Sequence, residues 1–421
     1  MSFLRLGLCA LISFAVLAHG GVEDWARAVL EIGAAFLLLL WALRFYFNGQ
    51  EQPAFSPLLP PLALFSLVVL GQWFFRATAS VYNTRIELLL LLATLLFLFL
   101  CVQAFRTLQE WRGLVWFGMG LGFVVSVFAI LQHLTFNGKL YWFRELTYGG
   151  IPFGPYVNRN HFAGLMELLI PLALVPLVLG RVRRDRLIVV ALFAIMPIAA
   201  LFLSASRGGI VSFCVQFALL TFLLLRRRGL AKRLLAVSAV LLAALLMVTW
   251  LGVGRILQRF SSMQTLEVTE GKRAAMRKGA WHIFLDHPLA GTGLGTFQIV
   301  YPPYETLYDA KVVNHAHNDY LEALAETGAL GALCCAWFLG VLLLKSFSLF
   351  RQSDFSFPLV LQLSGIVACA GFLVHALVDF NFHIPSNLWL FVLMAHLATT
   401  EIQQTPSSPT RRRGHNSRNP E

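Results

Sequence analysis

From Asn314 to Gly331 the chain reads NHAHNDYLEALAETGALG, which sets His315, His317, Asn318, Asp319 and Glu322 in one short polar run. An imidazole titrates close to neutral pH, so it can take a proton from a hydroxyl and make that oxygen a nucleophile. Two histidines at i and i+2 beside Asp319 also raise metal ligation. However, the chain has no D-x-D, no H-E-x-x-H and no cysteine at ligand spacing, so no metal and no cofactor are expected. Three further polar runs accompany it: NRNHFAG (158–164), SASRGG (204–209) and EGKRAAMRKGAW (270–281). They contribute Asn158, Arg159, Asn160, His161, Arg207 and Arg273. His375, Asp379 and His383 form one more polar group, at the end of an apolar stretch. An acidic residue in that position lines a cavity in many membrane proteins; no role is assigned to this group.

The composition fixes what must position these groups. Hydrophobic residues are 58% of 421 and charged residues 13%, with a mean hydropathy of +0.71. A soluble domain is about half apolar and a quarter charged. The apolar residues come in blocks near the ~20 residues that cross a ~30 Å hydrocarbon core. The expected fold is therefore all-α and polytopic. Its twelve spans fall near 4–19, 26–44, 58–75, 87–105, 113–133, 161–180, 186–204, 208–225, 234–251, 328–345, 356–376 and 384–401. The first is short, but no small-residue cleavage site follows it, so it reads as a span and not as a signal peptide. All six cysteines lie in apolar blocks and read as small hydrophobes.

The net charge is +12, and its placement matters more than its size. Arg181, Arg183, Arg184 and Arg186 crowd one connection, and Arg226, Arg227, Arg228, Lys232 and Arg233 another. Lys345 and Arg351 mark a third, and Arg411, Arg412 and Arg413 the tail. With twelve spans and both termini inside, all fall on the cytoplasmic face. The charge is then topological, and nucleic acid is not an expected partner. The organisation expected is N-terminal helices over 1–150, a core over 151–401 and a disordered basic cytoplasmic tail over 402–421.

The opposite face receives the loop 252–327, the longest between spans. Its charged start, 255–278, reads as helix. DHPLAGTGLGTF (286–297) reads as a turn-forming segment, and YPPYETLY (301–308) as aromatics suited to a sugar face or a membrane interface. His282 and His287 read as structural hydrogen-bonding groups. Asp319 and Glu322 form a D-x-x-E pattern that would cap a helix over 320–327, stopped by Gly328. His317 then stands just before a helix N-terminus.

Arginines near span ends often only snorkel to headgroups. Arg159, Arg207 and Arg273 nevertheless lie on the face that disfavours positive charge. Guanidinium groups hold phosphate in a bidentate fork, so arginines on the outer face of an oily protein suit a lipid-linked phosphate or diphosphate. With a histidine nearby, the chemistry expected is transfer of a group from a diphosphate to an alcohol, the arginines stabilising charge on the departing diphosphate.

These residues resemble the bacterial O-antigen ligase and polymerase superfamily of inner-membrane proteins. The ligase signature is a histidine followed by Asn, Ser or Gln, nine residues, Gly, two residues, then Gly, Thr or Tyr. It is matched by His317-Asn318, nine residues, and Gly328-Ala329-Leu330-Gly331. The order of NRNHFAG, SASRGG, the basic helix ending in Trp281, DHPLAGTGLGTF and the histidine run adds specificity. The motifs cover about 150–400, and the rest agrees by span pattern only. The resemblance implies an architecture like that of C-type glycosyltransferases, and metal-independent, inverting transfer of a glycan from undecaprenyl diphosphate to a hydroxyl of lipid A–core, at the periplasmic face of the inner membrane. It implies His317 as the general base and Arg207, Arg273 and Arg159 as contacts to the donor diphosphate. Asn158, Asn160, His161, His315, Asn318, Asp319 and Glu322 would support them, and Gly328 and Gly331 would allow close packing where the loop helix meets the tenth span. The partners are then the lipid-linked glycan, a lipid A–core or growing glycan acceptor, and membrane lipids.

Two readings within the superfamily stay open, a polymerase that extends the lipid-linked glycan and an oligosaccharyltransferase that modifies protein hydroxyls. Outside it stands a transporter of lipid-linked or small solutes, which shares the span count. Paired broken helices and charges near the bilayer middle, which transport would need, are missing from the sequence pattern.

Overall fold

The computed structural model describes residues 2–48, 52–146, 151–225, 238–250, 263–308, 312–351 and 356–403. In chain order its α-helices are α1 (Ser2–Leu17), α2 (Asp24–Asn48), α3 (Leu59–Phe74), α4 (Val81–Ala104), α5 (Leu108–Leu134), α6 (Arg159–Val178) and α7 (Leu187–Leu203). They continue as α8 (Arg207–Leu225), α9 (Ser238–Trp250), α10 (Met263–Asp286), α11 (Phe297–Val300), α12 (Asp319–Phe350), α13 (Phe357–His375) and α14 (Pro385–Thr399). Among the described residues, β-pairing is limited to isolated bridges. The chain is an all-α, multi-pass membrane protein in which, among the described residues, 7 helices are long and apolar enough to cross a bilayer. Each of the expected spans falls on a helix, some of them shorter than a full crossing. The basic residues of 226–233 and the tail beyond 403 lie outside the described residues.

Local sequence explains where the helices begin. Thr107 and Glu110 close a capping box on α5, and Ser80, Asn158 and Asn318 accept backbone N–H groups at the starts of α4, α6 and α12. Prolines stand in the first turn of α3, α13 and α14, where the missing N–H costs nothing. The central helix is α6, whose membrane-crossing window is wholly buried; α5, α7, α8, α13 and α14 pack around it. Gly209 faces Ala163, and Gly371 faces the Gln216 side chain. Small residues at such crossings let helix backbones approach closely in a medium that offers no hydrophobic drive.

The helices alternate in direction, so the polar groups sort to two ends. At one end lie Arg5 paired with Glu110, the connection from α6 to α7, and the strand-like contact of Gln403 with Arg106 and Leu108. The starts of α4, α6, α8, α12 and α14 all meet at the other end. The 286–297 segment is more than a turn there. It is a ribbon laid along α12, with Thr292 and Gly293 donating to the carbonyls of Ala325 and Glu326, and Ala329 and Leu330 donating to those of Pro288 and Leu289. Gln72 of α3 donates to Ala290 and Glu326 carbonyls at 2.6 and 2.8 Å.

One feature of α12 differs from expectation and one agrees with it. The cap is Asn318, whose side chain accepts from Leu321 N at 2.9 Å, while Asp319 is the first helical residue and turns its carboxylate elsewhere. The expected break at Gly328 is present, since its φ 60 and ψ −161 are non-helical and divide α12 into two helical stretches across a kink. A side chain at Gly328 would run into the Leu289 backbone, and one at Gly291 into the Glu326 backbone. Both have positive φ, so only glycine satisfies the conformation and the approach together.

Candidate functional site

His317 sits at φ 50, in the left-handed region that costs a non-glycine residue about 1–3 kcal/mol and that clusters at functional sites. The following residue, Asn318, pins the strain: besides capping α12 it donates from Nδ2 to Leu377 O at 2.9 Å, while Asp319 N donates to Ala376 O at 2.9 Å. The start of α12 is thereby bolted to the turn after α13. His317 Nδ1 comes to 3.4 Å from Asp379 Oδ1. That is longer than a formed hydrogen bond, and Nδ1 is buried with no hydrogen-bond partner. The exposed quarter of the ring therefore belongs to the opposite edge, which carries Nε2.

Asp379 is the hub of the site. Its side chain is 1% exposed, and it accepts from Asn160 Nδ2 and from Phe380 N at 2.9 Å. His161 Nε2 lies 3.9 Å away. Burial on its own would raise the Asp379 pKa, but the neighbouring His317, together with the charges of His161 and His375, outweighs it and holds the carboxyl well below the usual range. A second cluster adjoins it. His315 Nδ1 is 2.6 Å from Glu322 Oε1, His383 Nε2 is 3.3 Å from the same oxygen, and His383 Nδ1 is 3.0 Å from Asp319 Oδ1. Burial would lower the His383 pKa; the charge of Glu322, with the hydrogen bond and charge of Asp319, wins and raises it to about 10. The Phe380 ring lies among the histidines, stacked on His315 at 4.2 Å and edge-on to His161 and His317 at 4.7 and 5.0 Å.

Of the residues singled out in the sequence, Asn158 caps α6 through Asn160 N at 2.9 Å, and Asn160, His161 and His317 all meet Asp379. The segment carrying Arg207 joins them, since Gly208 lies against the His375 ring and His375 O accepts from Asp379 N at 3.1 Å. Arg159 and Arg207 are half-buried. Among the described residues neither guanidinium makes a side-chain hydrogen bond or an ion pair. Arg273 is half-buried and one turn before Met276; Met276, Ala280 and Ile283 form a stripe of α10 that packs with Ala316, beside His317.

Sequence reasoning did not assign Asp379 or His383 and overlooked Phe380. The signal for Asp379 was an acidic residue at a span end, whereas nothing distinguished Phe380 among 36 phenylalanines. Tyr301 is a core residue of the loop, stacked on Phe297, and not a free sugar platform. His282 and His287 are exposed and, among the described residues, make no side-chain hydrogen bond. Contrary to the expectation that the spans lack charge, Glu167 inside α6 meets His375 at the end of α13 at 2.8 Å.

An imidazole beside a buried carboxylate, at one end of a bundle, can remove a proton from a hydroxyl. No curated protein matches the chain. Residues 190–336 match the family model described as O-antigen ligase. This stretch carries Arg207, Arg273 and His317, and a ligase- or polymerase-type glycan transfer is the activity that goes with the family. This match supports the O-antigen ligase and polymerase superfamily for that stretch of the chain.

Proposed function

We propose that the chain transfers a glycan from undecaprenyl diphosphate to a hydroxyl of lipid A–core at the periplasmic face of the inner membrane. The observation that carries this is His317, held in a strained backbone position beside buried Asp379, with Arg159 and Arg207 half-buried at the same end of the bundle. His317 Nε2 takes the proton of the acceptor hydroxyl. The acceptor oxygen forms its bond to the anomeric carbon from the face opposite the leaving group, so configuration inverts. The bond from that carbon to the diphosphate oxygen breaks, its electron pair stays on the diphosphate, and Arg207, Arg273 and Arg159 bind the resulting charge. Asp379 compensates the imidazolium while it exists. The sorting of polar groups supports the orientation, since the clustered basic residues at 181–186 and 345–351 fall at the end away from this site.

The acceptor is tested with purified protein in lipid nanodiscs, given lipid-linked glycan with and without lipid A–core. Glycan joined to lipid A–core is the expected product. Extension of the lipid-linked chain in its place would identify a polymerase, and no turnover of either substrate would overturn glycan transfer. In the same assay, Arg207→Lys and Arg273→Lys are each expected to cost about tenfold in rate, because lysine keeps the charge and loses the fork that engages two phosphate oxygens. Unchanged rates in both variants would remove these residues from the donor site.

A further inference from the structure

Beside the His317–Asp379 contact, three separate segments bring another set of side chains together. His315 precedes α12, Glu322 is in the first turn of α12, and His383 lies in the turn 381–383. One nitrogen or oxygen from each lies within 4.8 Å of the other two. Each is also oriented from behind. His383 Nδ1 is held by Asp319 Oδ1 at 3.0 Å, which turns Nε2 toward Glu322. The second oxygen of Glu322 accepts from Ala316 N at 2.7 Å, and the His315 ring is stacked on Phe380. A carboxylate behind a histidine, with the other ring nitrogen aimed at a shared point, is the outer arrangement that metal sites use to fix their ligands. The Glu322 side chain is 1% exposed and those of His315 and His383 are 26% and 20% exposed. The set is thus anchored in protein and open on one side.

We propose that His315, Glu322 and His383 form a binding site for a divalent transition cation of the zinc class. Two imidazoles and one carboxylate suit that class and not magnesium or calcium, which take oxygen ligands. Tetrahedral ligands at zinc distances lie about 3.3 Å apart. The Glu322–His383 spacing of 3.3 Å already meets this, and the His315–Glu322 spacing of 2.6 Å must open by less than ~1 Å. The cation would clamp the run before α12, the start of α12 and the 381–383 turn, the segments that place His317 and Asp379. It takes no part in the glycan-transfer step, and its binding is independent of which acceptor that step uses.

The test uses full-length protein without a polyhistidine tag, stripped with chelator and titrated with Co²⁺ and then Zn²⁺. One equivalent of Co²⁺ should give the visible absorption of a four-coordinate site, and Zn²⁺ should displace it and raise the melting temperature. His315→Ala and Glu322→Gln should each weaken Co²⁺ binding at least tenfold, whereas His282→Ala, an exposed histidine of the same loop, should not. His315→Ala removes a ring that is a quarter exposed, so it keeps the test alive if Glu322→Gln does not fold. The absence of a stoichiometric band in the wild type, or an equal band in His315→Ala, would overturn the site and show a self-contained hydrogen-bonded cluster.

Discussion

His317→Ala should reduce glycan transfer by about 10²–10⁴-fold, the range over which a positioned acid–base group contributes, or some 3–5 kcal/mol of barrier. The size follows from the ring's placement. Nδ1 is enclosed against Asp379, so only the Nε2 edge reaches the acceptor, and no other histidine of the cluster is positioned to replace it. His161 is 8% exposed and turned to Asp379, and His315 is engaged by Glu322. Donor binding should persist, because the arginines are untouched, so the loss belongs in the maximal rate. Asp379→Asn provides the companion measurement. It keeps the shape and the acceptor for Phe380 N but removes the charge that offsets the imidazolium, so a smaller loss of rate is expected, again without loss of donor binding. Initial rates in nanodiscs at saturating donor, with thermal unfolding to show that both variants fold, decide the matter. Wild-type turnover by His317→Ala would end the assignment of His317 as the base.

The contrast between Asp379 and Phe380 shows what a chain of this kind reveals before it folds. Spans were legible because the bilayer demands long apolar runs, and His317 was legible because it opens a polar run that fits the signature His317-Asn318, nine residues, Gly328 to Gly331. Arg159, Arg207 and Arg273 stood out as cations on a face that disfavours them. The partners of these groups were not legible, since they come from far along the chain: Asp379 reaches His317 across 62 residues, and Asn160 across 219. Local pattern even misassigned Asp319, which satisfies a capping rule on paper. In the fold Asn318 caps, and the Asp319 carboxylate accepts from Phe382 N and faces His383. A carboxylate goes where the strongest donors are, and tertiary packing determines where those lie.

Glu326→Ala is expected to destabilise the protein by about 2–5 kcal/mol, because it strips the acceptor from two backbone donors. Glu326 is 1% exposed; its Oε2 accepts from Gly295 N at 2.9 Å and its Oε1 from Phe297 N at 2.7 Å. Each N–H left without a partner in the protein costs roughly 1–3 kcal/mol, and the lost side chain leaves a void beneath the ribbon. The ribbon has few substitutes. Gln72 covers the Ala290 and Glu326 carbonyls and Leu294 N, but nothing else among the described residues reaches Gly295 N or Phe297 N. Against a total stability of ~5–15 kcal/mol, the change should appear as a clear fall in melting temperature in detergent. It should also open the 287–296 segment to proteolysis before the helices unfold, because the glycine contacts at 291 and 328 hold only while the ribbon stays seated. Glu326→Gln keeps one acceptor oxygen and turns a donor toward the other N–H, so it should fall between the two. The ribbon leads into α11 and the loop core that backs Ala316. Its loosening should therefore slow glycan transfer as well, by moving the segment that carries His317 while its chemistry stays intact. An unchanged melting temperature and an intact ribbon in Glu326→Ala would show that the ribbon is held from elsewhere and that α12 does not depend on it.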